Sequence, residues 1–517
     1  MALFRSVATV GSWTMVSRLF GFVRDILTAA ILGAGPVADA FFVAQRLPNL
    51  FRSLFAEGAF SAAFVPLANR ALVEGGRPAL KEFAEEAFSV LFAALLIFVA
   101  LGEIFMPWVM RVIAPGFEKD PAKFQLVVNL TRITFPYLLF ISLTALQGGL
   151  LNTVDRFAAA AATPVLLNLF LIAGLLLMTA LHWPDGSVLA WALTLSGIAQ
   201  FCWLMLSCRR ADVGLRLRMP HLTEGVRQTL KIMGPGVLGA GVTQLNLLIS
   251  TALASLLPSG SVSYLYYADR LNQLPLGVVG IAVATAILPP LSRAVRGGDT
   301  AAAMATQNRG LELALLLTLP AATALAILAL PILAVLFERG AFGPAEASAT
   351  ASALIAYAVG LPAFVLVKVL APAFFARHDT KTPVKVAMVT LATNLLLTVV
   401  LMQFFAHVGV AAALSVAGWL QAALLMTLLA RREHFQLDAR ARANLPRIAL
   451  ATVGMGAVLA GLRVALDPAL VGGAMTMRLA ALAGLVVAGL IAFLALILLL
   501  GVVNWRELRG QFRRLPA

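Results

Sequence analysis

Residues 18–57, RLFGFVRDILTAAILGAGPVADAFFVAQRLPNLFRSLFAE, decide the fold. They read as the end of one membrane helix, a tight Gly-Pro turn and most of a second helix. Yet they carry Arg18, Arg24, Asp25, Asp39, Arg46, Arg52 and Glu57. A charge at bilayer depth costs about 2.5–3.5 kcal/mol on insertion scales, so apolar residues would make cheaper helices. Charges kept at that depth face a bundle interior or a watery cavity and mark a transport pathway. The stretch is read as one wall of a cationic substrate site.

The rest of the chain supplies the membrane. Of 517 residues, 61% are hydrophobic and only 12% charged, far from the balance of a soluble domain. Mean hydropathy is +0.92. Apolar runs of about twenty residues recur without strand-like alternation, which selects helices over a barrel. About fourteen spans are expected, near 7–32, 37–69, 84–113, 124–151, 157–181, 187–208, 229–257, 262–292, 308–337, 348–376, 384–407, 410–431, 447–466 and 479–503. The fold class is an all-α polytopic membrane protein. The N-terminal run is interrupted by Arg18 and Arg24 and lacks a small-residue cleavage site, so it is expected to stay as the first helix.

A net charge of +15 raises nucleic acid as a partner, but the basic residues are scattered through short loops with no basic-aromatic block. They alternate by loop. Basic connections (Arg70/Arg77/Lys81, Arg156, Arg209/Arg210/Arg216/Arg218, Arg293/Arg296, Arg377/Lys381, Arg431/Arg432) face nearly bare ones at 33–37, 182–187, 257–261 and 407–409. The positive-inside rule places the basic set in the cytoplasm, and an even span count puts both termini there. The tail NWRELRGQFRRLPA agrees, and is suited to lying on the anionic inner leaflet.

An internal repeat organises the spans. AQRLPNL (44–50) matches ADRLNQL (268–274), pairing Arg46 with Arg270 at an offset of 224 (270 − 46); Pro66 pairs with Pro290 and Asp155 with Asp379 at the same offset. A two-residue slip pairs Pro136 with Pro362 and Asn168 with Asn394. Two six-helix lobes in parallel orientation follow, with a substrate between them. Lobes are expected over 1–220 and 221–440. The last two helices and tail, 441–517, fall outside the repeat, as either a lipid groove or passive supports.

The second lobe adds Asp269, Arg270, Ser263, Asn272 and Gln273 near one helix start, and Lys368 on a later helix. Arginine predominates, and its planar fork matches phosphate oxygens bidentately. The alternative is that these residues are internal ion pairs locking helices together. The five histidines and two cysteines (Cys202, Cys208) show no ligand spacing, so neither a metal nor a disulfide is expected. No phosphate-binding glycine loop and no acid-rich metal loop is present. A secondary transporter fits better than an enzyme; no catalytic residue is assigned.

SRLFGFVRDILTAAILGAGPVADAFFVAQRLPNLFRSLFAEGAFSAAFVP (17–66) and YYADRLNQLPLGVVGIAVATAILP (266–289) resemble the MurJ (MviN) family of bacterial lipid II flippases, within the multidrug/oligosaccharidyl-lipid/polysaccharide exporter superfamily. The likeness runs over the whole chain. It implies two lobes around a central cavity, and C-terminal helices lining a groove for the lipid tail. It implies substrate contacts at Arg18, Arg24, Arg52, Arg270, Asp39 and Ser263; Asp25, Arg46, Glu57, Asp269 and Gln273 are read beside them as supporting or gating residues. Some family members carry Glu where this chain has Gln273, which puts an acid-dependent gate there in doubt. Asn394 has no nearby acid within its span, so sodium is not expected; no cofactor is assigned, and membrane potential is the expected bias. The partners implied are lipid II, the lipids of the cytoplasmic membrane and, as an open question, the cell-wall synthesis machinery, around a monomer. Competing readings are an exporter of another polyprenyl-diphosphate oligosaccharide, a cation-coupled drug antiporter and a non-transporting cell-wall scaffold.

Overall fold

The computed structural model describes residues 2–53, 59–471 and 473–502. Among the described residues fifteen helical segments follow one another: α1 (Ala2–Leu32), α2 (Pro36–Arg52), α3 (Ala59–Ile113), α4 (Pro121–Thr134), α5 (Tyr137–Thr153), α6 (Phe157–Leu181), α7 (Ser187–Arg210), α8 (Glu224–Ser255), α9 (Ser261–Arg296), α10 (Thr300–Ile327), α11 (Ala329–Leu336), α12 (Pro344–Phe375), α13 (Lys381–Arg431), α14 (Ala439–Val471) and α15 (Met475–Leu499). Among the described residues the only β-type pairing is the isolated bridge Arg339–Phe342. The chain is an all-helical, multi-span membrane protein. Nine of the described helical segments are long and apolar enough to cross a membrane. The helices carrying most of the candidate charges, α1, α2 and α9, fall outside that apolar set.

Two of these segments each hold two helices joined at a non-helical residue, which falls at or next to the boundary expected between the separate spans. α3 passes through Gly76 at φ 68°, and α13 through Ala406 at φ 46°. Conversely, the span expected over 124–151 is two helices meeting at Pro136, since proline has no N–H to continue the ladder. Helix starts carry ordinary chemistry. Pro36, Pro121 and Pro344 occupy first turns, where a missing N–H costs nothing. Asp120 accepts from the N–H groups of Ala122 and Lys123, and Asp299 from that of Ala302.

Packing divides the chain into two compact units. The first comprises residues 1–263 with 339–342, the second 264–338 with 343–517. In the first unit, α1 packs on α6, α2 on α4, and α3 on α5 and α8. The acid Glu85 of α3 is buried and takes the Arg218 guanidinium (2.6 Å) and the Arg216 N–H (3.2 Å), laying the basic α7–α8 connection across α3. The second unit has one core of α9, α10, α12 and α13 around Ile287, Leu311, Val369 and Leu425. Another joins α14 and α15 to α10 and α11 through Leu328, Met455, Leu459, Leu485 and Phe493. The last two helices are thus packed along one side, while Val453, Val464, Leu490 and Ile491 stay exposed. Residues 504–517, the basic tail, lie outside the described residues.

Candidate functional site

In the first unit the candidate charges form two clusters. The first lies on α1. The Arg24 guanidinium donates to Asp25 Oδ1 from Nε (3.1 Å) and Nη2 (2.7 Å), and to Asn168 Oδ1 of α6 from Nη1 (3.0 Å). Asn168 Nδ2 in turn donates to the Ser17 carbonyl at 3.0 Å. Asp25 and Asn168 are buried. Arg24 is therefore oriented by a neutral amide on one side and a carboxylate on the other. Arg18, one turn and a half earlier, is exposed.

The second cluster is centred on Asp39, in the first turn of α2 and 1% exposed. Its carboxylate accepts from Lys123 Nζ (2.8 Å), Gly260 N–H (2.8 Å), Ser263 N–H (3.0 Å) and Ser263 Oγ (2.7 Å). Lys123 also donates to Ser259 Oγ at 3.2 Å, and its ammonium lies 4.1 Å from the Phe117 ring centre. Local sequence explains the convergence. Pro36 starts α2 and places Asp39 in a first turn; Asp120 caps α4 and fixes Lys123 in that turn; the 257–261 connection starts α9. A helix N-terminus exposes unpaired N–H groups, which favour an anion. Asp39 supplies that anion to α9 from another helix, acting as its N-cap.

Farther along α2, Arg46 and Arg52 are half-buried, and Arg52 Nε lies 3.4 Å from Asn49 Oδ1. Gln244 of α8 donates to Ser53 at 2.9 Å. Glu57 lies outside the described residues. In the second unit, Arg270 stacks over the Tyr266 ring (4.8 Å to its centre) and donates to the Tyr266 hydroxyl at 3.0 Å. Gln273 donates to Asp269, so an amide sits where an acid would repel that carboxylate. Lys368 of α12 lies over Gly280, where an added Cβ would come within 2.9 Å of Nζ. Family likeness named Asp39 and Ser263 without pairing them, and sequence reasoning missed Lys123, Tyr266 and the Asn168 contact with Arg24.

The first unit thus holds Arg24 between Asp25 and Asn168 and buries Asp39 at the starts of α2 and α9. A family model described as "Lipid II flippase MurJ" matches residues 28–502. The chain belongs to the MurJ family. It is 43% identical over 526 residues to the probable lipid II flippase MurJ of Rhizobium meliloti (strain 1021), covering 99% of this chain and 97% of that one. To the lipid II flippase MurJ of Burkholderia cenocepacia it is 38% identical, covering 89% and 90%. Among solved structures, "Lipid II flippase MurJ, inward closed conformation" matches with a TM-score of 0.79 at 26% identity, over 94% of this chain and 97% of that one. An inward-facing multidrug MATE transporter of the MOP superfamily matches with a TM-score of 0.67 at 15% identity, over 83% and 98%, which shows a shared fold. MurJ proteins are lipid flippases, and the chain is accordingly a transporter rather than an enzyme.

Proposed function

We propose that this protein moves lipid II, the undecaprenyl-diphosphate-linked disaccharide-pentapeptide, from the inner to the outer leaflet of the bacterial cytoplasmic membrane by alternating access. The observation that carries this reading is 43% and 38% identity to lipid II flippases over 99% and 89% of the chain. The chain's own chemistry supports it. Arg18, Arg24, Arg52 and Arg270 take the diphosphate, whose paired oxygens suit the guanidinium fork. Asp39 with Ser263 closes the end of the pathway marked by the bare loops, and Asp25, Arg46, Glu57, Asp269 and Gln273 support or gate it.

The basic loops and both termini face the cytoplasm, with lobes over 1–220 and 221–440, fourteen spans in all and the polyprenyl tail along the helices of 441–517. Outward movement of an anion from a negative cell is downhill by about 2.3 kcal/mol per charge per 100 mV, so membrane potential biases the cycle without a nucleotide. The protein works as a monomer. The test is lipid II export in cells depleted of their own flippase. Wild type restores export; Arg24→Ala and Arg270→Ala, made at normal levels, do not. Export by both variants at the wild-type rate would return these arginines to structural ion pairs.

A further inference from the structure

The two units build one helix corner twice and fill it differently. Where α5 turns into α6, the Arg156 N–H donates to Leu151 O at 2.8 Å; where α12 turns into α13, the Asp379 N–H donates to Phe374 O at 3.0 Å. Asp155 and His378 precede them at φ 59° and 60°. The backbone thus sets the offset at 223 (379 − 156), one less than the sequence match of Asp155 with Asp379. The neighbouring helix ends also correspond. Val213 N–H donates to Cys208 O (3.0 Å) and His434 N–H to Leu429 O (2.9 Å), an offset of 221 (434 − 213). By these registers Arg156 stands where the second unit has Asp379, and Ala211 where it has Arg432.

In the second unit the Asp379 carboxylate closes the corner. It accepts from the Thr382 N–H (2.9 Å) and hydroxyl (2.6 Å) in the first turn of α13, and pairs with Arg432 at 2.6 Å. In the first unit the acid has become an arginine and its cation an alanine. No side chain caps α6. What remains is a cavity of about 320 Å³ whose lining includes Thr9, Asp155, Arg156, Ser207, Arg210 and Ala211. Among the described residues, neither Arg156 nor Arg210 is held by a carboxylate, Asp155 included. The lining also includes the apolar Leu151 and Phe157, and exposed Trp203 and Leu206 lie beside Ser207 on α7.

We infer that this cavity binds a phosphate group, that of an anionic phospholipid headgroup, in the place the second unit gives to the Asp379 carboxylate. Two guanidinium groups and hydroxyls meet the phosphate oxygens, and the apolar flank meets the acyl chains. Basic pockets between membrane helices on the cytoplasmic side take such headgroups. Assignment to the inner leaflet rests on the orientation proposed above; binding itself does not.

The test is native mass spectrometry of the full-length protein in detergent, titrated with short-chain phosphatidylglycerol, short-chain phosphatidylcholine, glycerol 1-phosphate and inorganic phosphate. Wild type binds phosphatidylglycerol in preference to phosphatidylcholine. R156Q/R210Q weakens this roughly thirtyfold, the share of two arginines near a membrane surface. R156D/A211R, which installs the second unit's own ion pair, weakens it as well and guards against misfolding of the first variant. Binding of the soluble phosphates as tightly as the lipid keeps the site and moves its ligand to a free phosphate. Equal binding of the two lipids, or unchanged phosphatidylglycerol binding in both variants, overturns the inference. Because purified protein is measured, failure here leaves the transport reading untouched.

Discussion

Asp39 on α2 and Lys123 on α4 form a buried ion pair at 2.8 Å, with side chains 1% and 8% exposed. Removing one partner of such a pair strands the other charge, which costs about 3–5 kcal/mol. The two removals are not equivalent. Without Lys123, Asp39 still accepts from Gly260 and Ser263; without Asp39, Lys123 keeps only Ser259 and the Phe117 ring. Asp39→Ala is therefore expected to lower the melting temperature in detergent more than Lys123→Met. The double variant should lose much less than the sum of the two single losses, because neither charge is then stranded. Additive losses in the cycle would show that the pair is not coupled.

Arg24 is positioned by Asn168, so Asn168→Leu is expected to act through the guanidinium. A hydrogen bond to a charged group contributes about 1.5–3 kcal/mol, which sets a loss of about tenfold or more in lipid II affinity. Asn168→Asp keeps the acceptor at Oδ1 and should retain most binding. Titration of purified variants with lipid II separates the two outcomes. Equal loss in both would assign Asn168 to its other contact, the Ser17 carbonyl.

The membrane fold was legible because composition and apolar run length leave few alternatives, and the charged stretch around α1 and α2 stood out by its cost in lipid. Asp39 and Ser263 came from family likeness; the geometry adds why they meet, since one caps the helix that carries the other. Lys123 was hidden. It follows Asp120 and Pro121 in what reads as a connection, and its partner lies 84 residues away. Asn168 was visible only as a repeat position, because its hydrogen bond to Arg24 spans 144 residues. The breaks at Gly76 and Ala406 were legible as span boundaries, between 69 and 84 and near 407–410, but not the single positive-φ residue that makes each of them. The one-residue shift between the repeat match and the backbone register at Arg156 and Asp379 has the same origin: hydrogen bonds, not residue identities, set the turn.

In the first unit, two glycines fit together at the end of α1. Gly33 has φ 63° and Gly340 φ 57°, and the Ala341 N–H donates to Ala30 O at 2.8 Å. A Cβ at Gly340 would lie 2.2 Å from Ala30 O, and one at Gly33 would lie 2.3 Å from Ala341 O. Both a left-handed backbone and a contact with main chain oppose any side chain, and the backbone term alone is about 1–2 kcal/mol. Gly340→Ala and Gly33→Ala should each lower the melting temperature. Gly298→Ala is the control, at φ 71° with open space around it, and should cost only the backbone term. Equal shifts in all three would remove the steric part of the argument.

His434, in the turn after α13, has its protonation opposed first by burial and then by the neighbouring Arg377 and Arg432, which hold the imidazole below its usual range. Arg432 is itself paired with Asp379, the acid on that corner. The sign follows from the folded state binding the proton less readily than the unfolded chain. Stability from the neutral ring is present above the unfolded value, near 6.5, and is lost as the pH falls through it toward the folded value. Wild type should therefore melt at progressively lower temperature from about pH 6.5 downward. His434→Gln keeps a neutral side chain at every pH and should flatten that part of the profile. A variant profile that falls as steeply as wild type between pH 7.5 and 5.5 would place the titration elsewhere.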